Sequence, residues 1–204
     1  MYRRQLVLSF LALTATTACT RTWETAFDEN PSVQKSSNWH LEDLVVIVPD
    51  TLTLSDEDQL APDADIVWHG EAPGDTRSQV EAILDEAAEK GTAKLKGNGP
   101  RVTVEITLEQ FHSITRRARR SLSGIGVHNI QFGIRVIDIK TNQVLAEEAG
   151  INAALPAYSG LAAVEADAIG ETQRVRVVRH VSAVISAWLG TGPDVRSTFE
   201  RIGR

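Results

Sequence analysis

The sequence predicts an α+β fold: a small, mainly antiparallel sheet of about four to five strands, with two helices packed on one face. Apolar and polar residues alternate at Val102–Leu108 and at Ile130–Val136, as in strands that bury one face. Apolar residues recur at helical spacing after Thr76 and again over Leu161–Leu189. The order strand, strand, helix, three strands, helix, with antiparallel neighbours, therefore indicates one α+β domain.

Two short strands are predicted before the first helix. The continuous apolar run Leu44–Val48 is closed by Pro49-Asp50, which is typical of a buried strand that ends in a turn. An acidic, loop-like stretch follows. Ile66–Trp68 is then a second strand candidate, ended by Gly70 and the Pro73-Gly74 break.

The first helix is predicted to begin at Thr76–Gln79, which has the form of a capping box, and to stop before Gly97–Pro100. The alternating strand Val102–Leu108 comes next. Ile130–Val136 and Val144-Leu145 then predict a hairpin that turns near Thr141-Asn142.

The last element is predicted as a helix over Leu161–Leu189. Gly170 lies inside it, where a glycine bends or interrupts a helix, and Gly190 occupies the position at which helices commonly end. Residues 191–204 are predicted to form a flexible C-terminal tail.

Composition and charge exclude several classes of protein. The chain has 204 residues, 42% hydrophobic and 24% charged, which suits one globular domain. Its net charge of −6 argues against nucleic acid as a partner. One cysteine cannot form an internal disulfide or a cysteine-based zinc site, and the five histidines form no HExxH or other close pair. We therefore expect no metal and no cofactor.

The N-terminus has the pattern of a secretory signal peptide over residues 1–18. Arg3 and Arg4 precede the apolar run Leu6–Leu13, and small residues follow. The run is too short to span a bilayer, which takes about 20 apolar residues. Export is therefore expected, and removal of the peptide makes the mature chain still more acidic.

The segment Leu11–Cys19 resembles the lipobox of bacterial lipoproteins, in which Cys19 would become the lipid-bearing N-terminus. This chain has Thr16 where that family usually has an aliphatic residue. The resemblance implies lipidation of Cys19, and Thr20 in place of Asp implies sorting to the outer membrane. The alternative is cleavage after Ala18, which leaves a soluble periplasmic protein. The predicted organisation is a signal peptide (1–18), a lipid-anchored tether (19–40), one α+β domain (41–190) and the tail (191–204).

No catalytic motif accompanies the predicted fold. Ser123 and Ser159 lack the GxSxG context of an activated nucleophile, and Gly124–Gly126 lacks the third glycine of a dinucleotide-binding loop. Nothing in the pattern nominates a catalytic residue. The sequence therefore predicts a protein that is not an enzyme.

A cluster of arginines is the one local feature with a clear chemical signature. Four guanidinium groups fall within five residues of an otherwise acidic chain: Arg116, Arg117, Arg119 and Arg120. They are the candidate interaction patch, facing lipid phosphate, an acidic partner or a cell-wall polymer. The alternative is a solvated segment whose charges are neutralised by carboxylates of the same chain.

Taken together, these segments resemble a family of uncharacterised small lipoproteins of alphaproteobacteria. The likeness extends from the Leu44–Pro49 strand to the final helix. More loosely, the hairpin at Asp138–Thr141 and the Ala-rich helix after it are similar to auxiliary lipoproteins of ABC-type envelope transport systems. The resemblance implies a non-enzymatic interaction or assembly module whose partner is a protein of an envelope complex. The alternative is a soluble periplasmic or envelope protein that binds a lipid or glycan in a pocket between sheet and helices.

Overall fold

The computed structural model describes residues 22–28, 31, 33–120 and 126–200. Its first half contains these elements: β1 (Thr22–Ala26), α1 (Val33–Ser36), β2 (His40–Ile47), β3 (Ile66–Val67), α2 (Thr76–Thr92) and β4 (Arg101–His112). Its second half contains these: α3 (Arg116–Arg120), β5 (Gly126–Asp138), β6 (Val144–Ala153), β7 (Leu155–Ala157), α4 (Gly160–Ala168), α5 (Gln173–Trp188) and β8 (Ser197–Glu200). The predicted signal peptide and Cys19 lie outside the described residues.

A single mixed sheet organises the domain. Its strands follow the order β2-β4-β5-β6-β1-β8, while β3 also pairs with β4 and β7 with β5. The strands β2 and β3 run parallel to β4, and the other pairs are antiparallel. The β2–β4 pair is parallel because α2 carries the chain back across the sheet between these strands.

The predicted hairpin forms the centre of the sheet as β5 and β6. Asn142 has a φ of 59° at the turn, where Asn is among the few residues that accept a left-handed backbone. The Asp138 carboxylate accepts hydrogen bonds of 2.8 Å from the backbone N–H groups of Lys140 and Thr141. These bonds pin the turn, so the two strands stay in register.

The two long helices, α2 and α5, cover one face of the sheet. The buried alternate residues of β4 and β5 point to this face and share one core with the helices. The core includes Val104, Ile106, Phe132 and Ile134, which are fully buried. On the other face, Arg135 of β5 lies between the carboxylates of Glu105 and Glu147. The prediction of an α+β fold is therefore confirmed, and α2 and α5 share a core with the sheet.

The number of strands and their directions differ from the prediction. The sheet has eight strands, where four to five were expected, and it is mixed where a mainly antiparallel sheet was expected. The additional strands β1, β7 and β8 are five, three and four residues long, too short to show a convincing alternation. Pairing with distant segments, and not local pattern, makes them strands.

Parts of the predicted tether and tail belong to the sheet. Within the segment 19–40, β1 pairs with β6, and Phe27 and Trp39 are buried in the core. Within 191–204, β8 pairs with β1, with Trp23 opposite Phe199. The folded domain therefore begins before residue 41 and continues past residue 190, because the two ends of the chain pair with each other.

The burial of β2 and the residue that caps α2 also differ from the prediction. The run Leu44–Val48 was expected to be buried, but β2 ends the strand path and most of its side chains are only half-buried. The residue that caps α2 is Asp75, whose carboxylate accepts from the backbone N–H of Ser78 at 3.1 Å. Thr76 instead donates from its hydroxyl to Asp56 at 2.5 Å.

The predicted interruption at Gly170 is confirmed, and it separates α4 from α5. Gly170 has a φ of +79°, and no atom lies within 4 Å of the position that a Cβ would take. The backbone N–H of Glu171 closes the helix end by bonding to the Ala166 carbonyl at 2.8 Å.

Replacing Gly170 with Ala is expected to lower the free energy of unfolding by about 1 kcal/mol, because an L residue disfavours this backbone conformation. Urea denaturation of both proteins measures the difference. Gly170→Asn should lower the free energy of unfolding by less than Gly170→Ala does, since Asn tolerates the left-handed backbone region. Equal stability of Gly170→Ala and the parent would contradict the assignment of this glycine as the helix end.

Candidate functional site

The arginine cluster forms the short helix α3 directly after β4. Thr115 caps this helix, since its hydroxyl accepts from the backbone N–H of Ala118 at 3.1 Å. The Thr115 hydroxyl also donates to the Gln59 carbonyl at 2.5 Å, which ties the helix to the loop that precedes β3. The four arginines are therefore held on an ordered element, at the edge of the core.

Two of the four arginines are neutralised within the chain. Arg119 lies 2.6 Å from the Asp167 carboxylate of α4, and Arg120 lies 3.0 Å from that of Asp58. The backbone N–H of Arg117 also donates to Asp58, at 2.6 Å. This bond, followed by the contact with Arg120, lowers the pKa of Asp58 below its usual range. Intramolecular neutralisation, the alternative weighed for the whole cluster, thus applies to Arg119 and Arg120.

Arg116 differs from these two arginines. Among the described residues it has no carboxylate partner, and its side chain is half-buried. It borders two neighbouring cavities, of about 510 Å³ and about 220 Å³. The larger cavity, the α3–α4 cleft, has eight lining residues: His69, Arg116, Arg119, Arg120, Gly160, Leu161, Ala163 and Val164.

His69 is the second residue that borders both cavities. It follows Trp68, whose ring packs edge-on against Phe111 at 5.6 Å between centroids and so fixes the end of β3. His69 is only 7% exposed, and neither ring nitrogen has a hydrogen-bond partner among the described residues. Burial is the main cause that lowers the pKa of His69, and Arg116 adds to it, while Asp58 and Asp56 act in the opposite sense. The imidazole is therefore neutral near pH 7.

The opposite wall of the cleft is apolar and belongs to α4. Leu161 is 76% exposed and Val164 64% exposed, although both are large aliphatic residues one helical turn apart. Ala163 and Ala166, on the inner side of α4, are buried. The cleft thus combines guanidinium groups on one side with an exposed aliphatic surface on the other, an arrangement suited to an anion that carries an apolar group.

A second polar cluster lies inside the domain. The Ser113 hydroxyl and His128 Nδ1 are 2.7 Å apart, but the two residues are only 2% and 0% exposed. Nearby, the Thr25 hydroxyl bonds to His180 Nε2 at 3.0 Å and to the Ala154 carbonyl at 2.9 Å. These side chains are buried, so the cluster contributes to the packing of β1, β4 and β5.

The structure places the predicted arginine cluster beside residues that were not predicted as part of a site. The arginines meet His69 and α4, neither of which was predicted as a site. No local signal in the sequence indicates them, because the burial of His69 and the exposure of Leu161 and Val164 depend on tertiary packing. In the described residues no group of three or more His, Cys, Asp or Glu side chains has a metal-binding arrangement. Within the same residues, no helix has the length and apolar character needed to cross a membrane.

Fold and cleft together define an α+β protein with a mixed sheet, helices on one face and a cationic, partly apolar cleft at its edge. The chain belongs to a family of unknown function, DUF6778, whose model matches residues 39–204. No curated protein matches it. Among solved structures it is similar to a chain described as a "putative lipoprotein from Caulobacter crescentus CB15", at 12% identity over 78% of this chain and 96% of that one. The TM-score of 0.32 is too low to transfer a fold or a function.

Proposed function

We propose that the protein is an exported, lipid-anchored component of the cell envelope, and that its domain is a non-enzymatic binding module with the α3–α4 cleft as its binding site. The observation that carries the binding role is the cleft itself. Arg116, which has no carboxylate partner among the described residues, and the buried His69, whose ring nitrogens have no hydrogen-bond partner among them, lie there beside exposed aliphatic residues. Leu161 and Val164 are both exposed one helical turn apart, so they form a continuous apolar surface beside the cationic groups.

The anchor is inferred from the N-terminal pattern. The charged, apolar and small-residue regions precede Cys19, as they do in lipoprotein precursors. Every described element lies after Cys19, so an acyl group there would leave the fold free to form. An outer-membrane location facing the periplasm and a role beside an ABC-type transport system are hypotheses that rest on the resemblance alone.

The anchor is tested by intact mass and membrane fractionation of the full chain in a Gram-negative host. We expect a mature chain that begins at Cys19, carries added acyl mass and sediments with membranes. A Cys19→Ala variant is expected to lose both properties. An unmodified, soluble parent chain cleaved near Ala18 would overturn the anchor.

The binding role is tested separately by photo-crosslinking in the same host. A photoreactive residue at Leu161 is expected to give an adduct with an envelope component, and Arg116→Gln in the same chain should reduce it. The control position is Thr141, an exposed residue in the β5–β6 turn. No adduct from Leu161, or equal adducts from both positions, would contradict a binding role for the cleft.

The alternative of a ligand pocket between sheet and helices has less support. Side chains from α2, α5, β4 and β5 fill that space, and they include Trp188, Phe111 and Phe132, each at most 1% exposed. The cleft lies instead between α3 and α4, outside this core.

A further inference from the structure

We propose that the α3–α4 cleft binds the phosphate headgroup of an anionic membrane lipid, with Arg116 as its charged contact and Leu161 and Val164 against the apolar part of the lipid. The inference deepens the proposed function and rests on it, because it names the ligand class of the same cleft. It has three independent supports: the positive groups, a buried histidine without a partner, and the exposed aliphatic wall.

Two elements contribute groups that favour an anion: the Arg116 guanidinium of α3 and the N-terminus of α4. Arg116 of α3 borders the cleft without a carboxylate partner among the described residues. The first turn of α4 contributes Gly160 and Leu161 to the same cleft, and the side chain of Ser159 makes no capping hydrogen bond to this helix. The first backbone N–H groups of a helix have no partner within the helix, and they favour anions such as phosphate. A guanidinium group opposite a helix N-terminus is therefore suited to a phosphate.

His69 is the observation that points to a ligand. The residue is only 7% exposed, yet both ring nitrogens lack partners in the described part of the chain. A buried polar group without a hydrogen bond is costly, and such groups are rare unless a bound molecule supplies the partner. A neutral imidazole has one N–H that donates, and a phosphate oxygen accepts. A headgroup in the cleft would supply a hydrogen-bond partner for the ring, which has none among the described residues.

The aliphatic wall favours a lipid over a free phosphate ion. A small inorganic anion would contact Arg116 and the helix terminus but would leave Leu161 and Val164 in water. A glycerol phosphate with its acyl chains would cover both. The volume of about 510 Å³ lies in the range of small-molecule sites, so it suits the glycerol phosphate headgroup.

The overall charge of the protein favours an oriented contact. The chain carries a net charge of −6, so the protein as a whole is repelled by an anionic membrane. Arg116 and Arg117, which form no ion pair with a described carboxylate, are a local exception. An anchored domain would therefore approach its own membrane with this cleft first. Binding of an acidic partner protein would need no such orientation toward the membrane.

The experiment uses the mature chain from residue 19 with Cys19→Ser, so that no acyl group contributes to binding. Partition is measured by flotation with vesicles of phosphatidylcholine alone and with vesicles containing one third phosphatidylglycerol. We expect binding to the anionic vesicles only. Arg116→Gln should reduce the partition coefficient about fivefold, since one basic residue contributes about that much at an anionic surface. Leu161→Ser should reduce it about tenfold through lost apolar burial.

The matched control is Arg135→Gln, which removes the same charge from the open face of the sheet. It should leave the partition coefficient unchanged, and an equal loss in both arginine variants would overturn the proposal in favour of unspecific attraction. Inorganic phosphate is added in a separate arm, with the NMR signals of the His69 ring as the readout. A response to phosphate without vesicle binding would indicate a free phosphate ligand and overturn the lipid.

The outcome separates this inference from the proposed function. If no vesicle binds while the crosslink from Leu161 to a protein persists, the lipid is wrong and the cleft is a protein-binding site. If neither the vesicles nor a crosslinked component binds, both proposals are overturned. Circular dichroism of each variant establishes that a loss of binding is not a loss of folding.

Discussion

Lowering the pH from 7 to 4.5 is expected to reduce the free energy of unfolding by about 2.5 kcal/mol through His128 alone. The side chain is fully buried, and its Nδ1 lies 2.7 Å from the Ser113 hydroxyl. Burial is the main cause that lowers the pKa of His128 from 6.5 to about 3, and the positive charges of Arg176, His180 and Arg119 add to it.

The direction of this stability change follows from the pKa of His128 in the folded and the unfolded chain. Below pH 6.5 the imidazole of the unfolded chain takes up a proton that the folded protein accepts only near pH 3. Acid therefore favours the unfolded state, by about 1.4 kcal/mol for each pH unit within this window. His180, whose pKa burial lowers to about 4, acts in the same direction.

The measurement is urea denaturation at several pH values for the parent and for His128→Asn, which keeps a side-chain hydrogen-bonding group near Ser113. The stability loss on acidification should be smaller in the variant by about the amount assigned to His128, about 2.5 kcal/mol. Ile114→Val is the control, since it weakens packing close to Gly126 without removing a titrating group. Its curve should run parallel to that of the parent.

A direct titration decides the point if His128→Asn does not fold. NMR signals of the imidazole rings in the parent should show His128 neutral at pH 4.5. Protonation of this ring near pH 6 would contradict both the buried environment and the predicted stability loss.

Gly91→Leu is expected to lower the free energy of unfolding by about 3 kcal/mol, at the upper end of the usual effect of overpacking. Gly91 lies where α2 crosses α5. A Cβ at this position would come within 2.7 Å of the Ile185 Cβ and 3.0 Å of the Ser182 carbonyl oxygen. The two helices cover the sheet together, so their separation would disturb the core beneath them.

Thermal or urea unfolding measures this effect, with Ala82→Leu as the control. Ala82 is an exposed residue of the same helix, so the added side chain meets solvent and should change stability little. In the double variant Gly91→Ala/Ile185→Ala, the total loss of stability should be smaller than the sum of the two single losses, because Ile185→Ala removes the Cγ2 that a Cβ at position 91 would meet at 2.8 Å. Additive losses in this double variant would contradict the steric cause.

Much of the fold could be predicted from patterns that are local in the chain. The alternation at Val102–Leu108 and the hairpin near Thr141-Asn142 depend on residues close in sequence, and both are present in the structure. The break at Gly170 is also local, because only the backbone conformation of that residue is required. By contrast, β1 and β8 are strands only through pairing with distant segments: β1 pairs with β6 and with β8, and Trp23 of β1 lies opposite Phe199 of β8.

The candidate site shows the same division. The four arginines were visible as a charged run, but the ion pair of Arg119 with Asp167 depends on α4 packing beside α3. His69 carried no signal of its own, since its burial and missing partners depend on how β3 meets the neighbouring loops.

The sequence by itself determined the class of fold, the main helices and strands, the N-terminal export pattern and the presence of a cationic segment, because each depends on spacing over a few neighbouring residues. Only the tertiary structure decided which arginines form ion pairs with the described carboxylates and which apolar residues stay exposed beside Arg116. Those properties depend on the distances between groups far apart in the chain, and it is the packing of α3, α4 and the end of β3 that sets those distances.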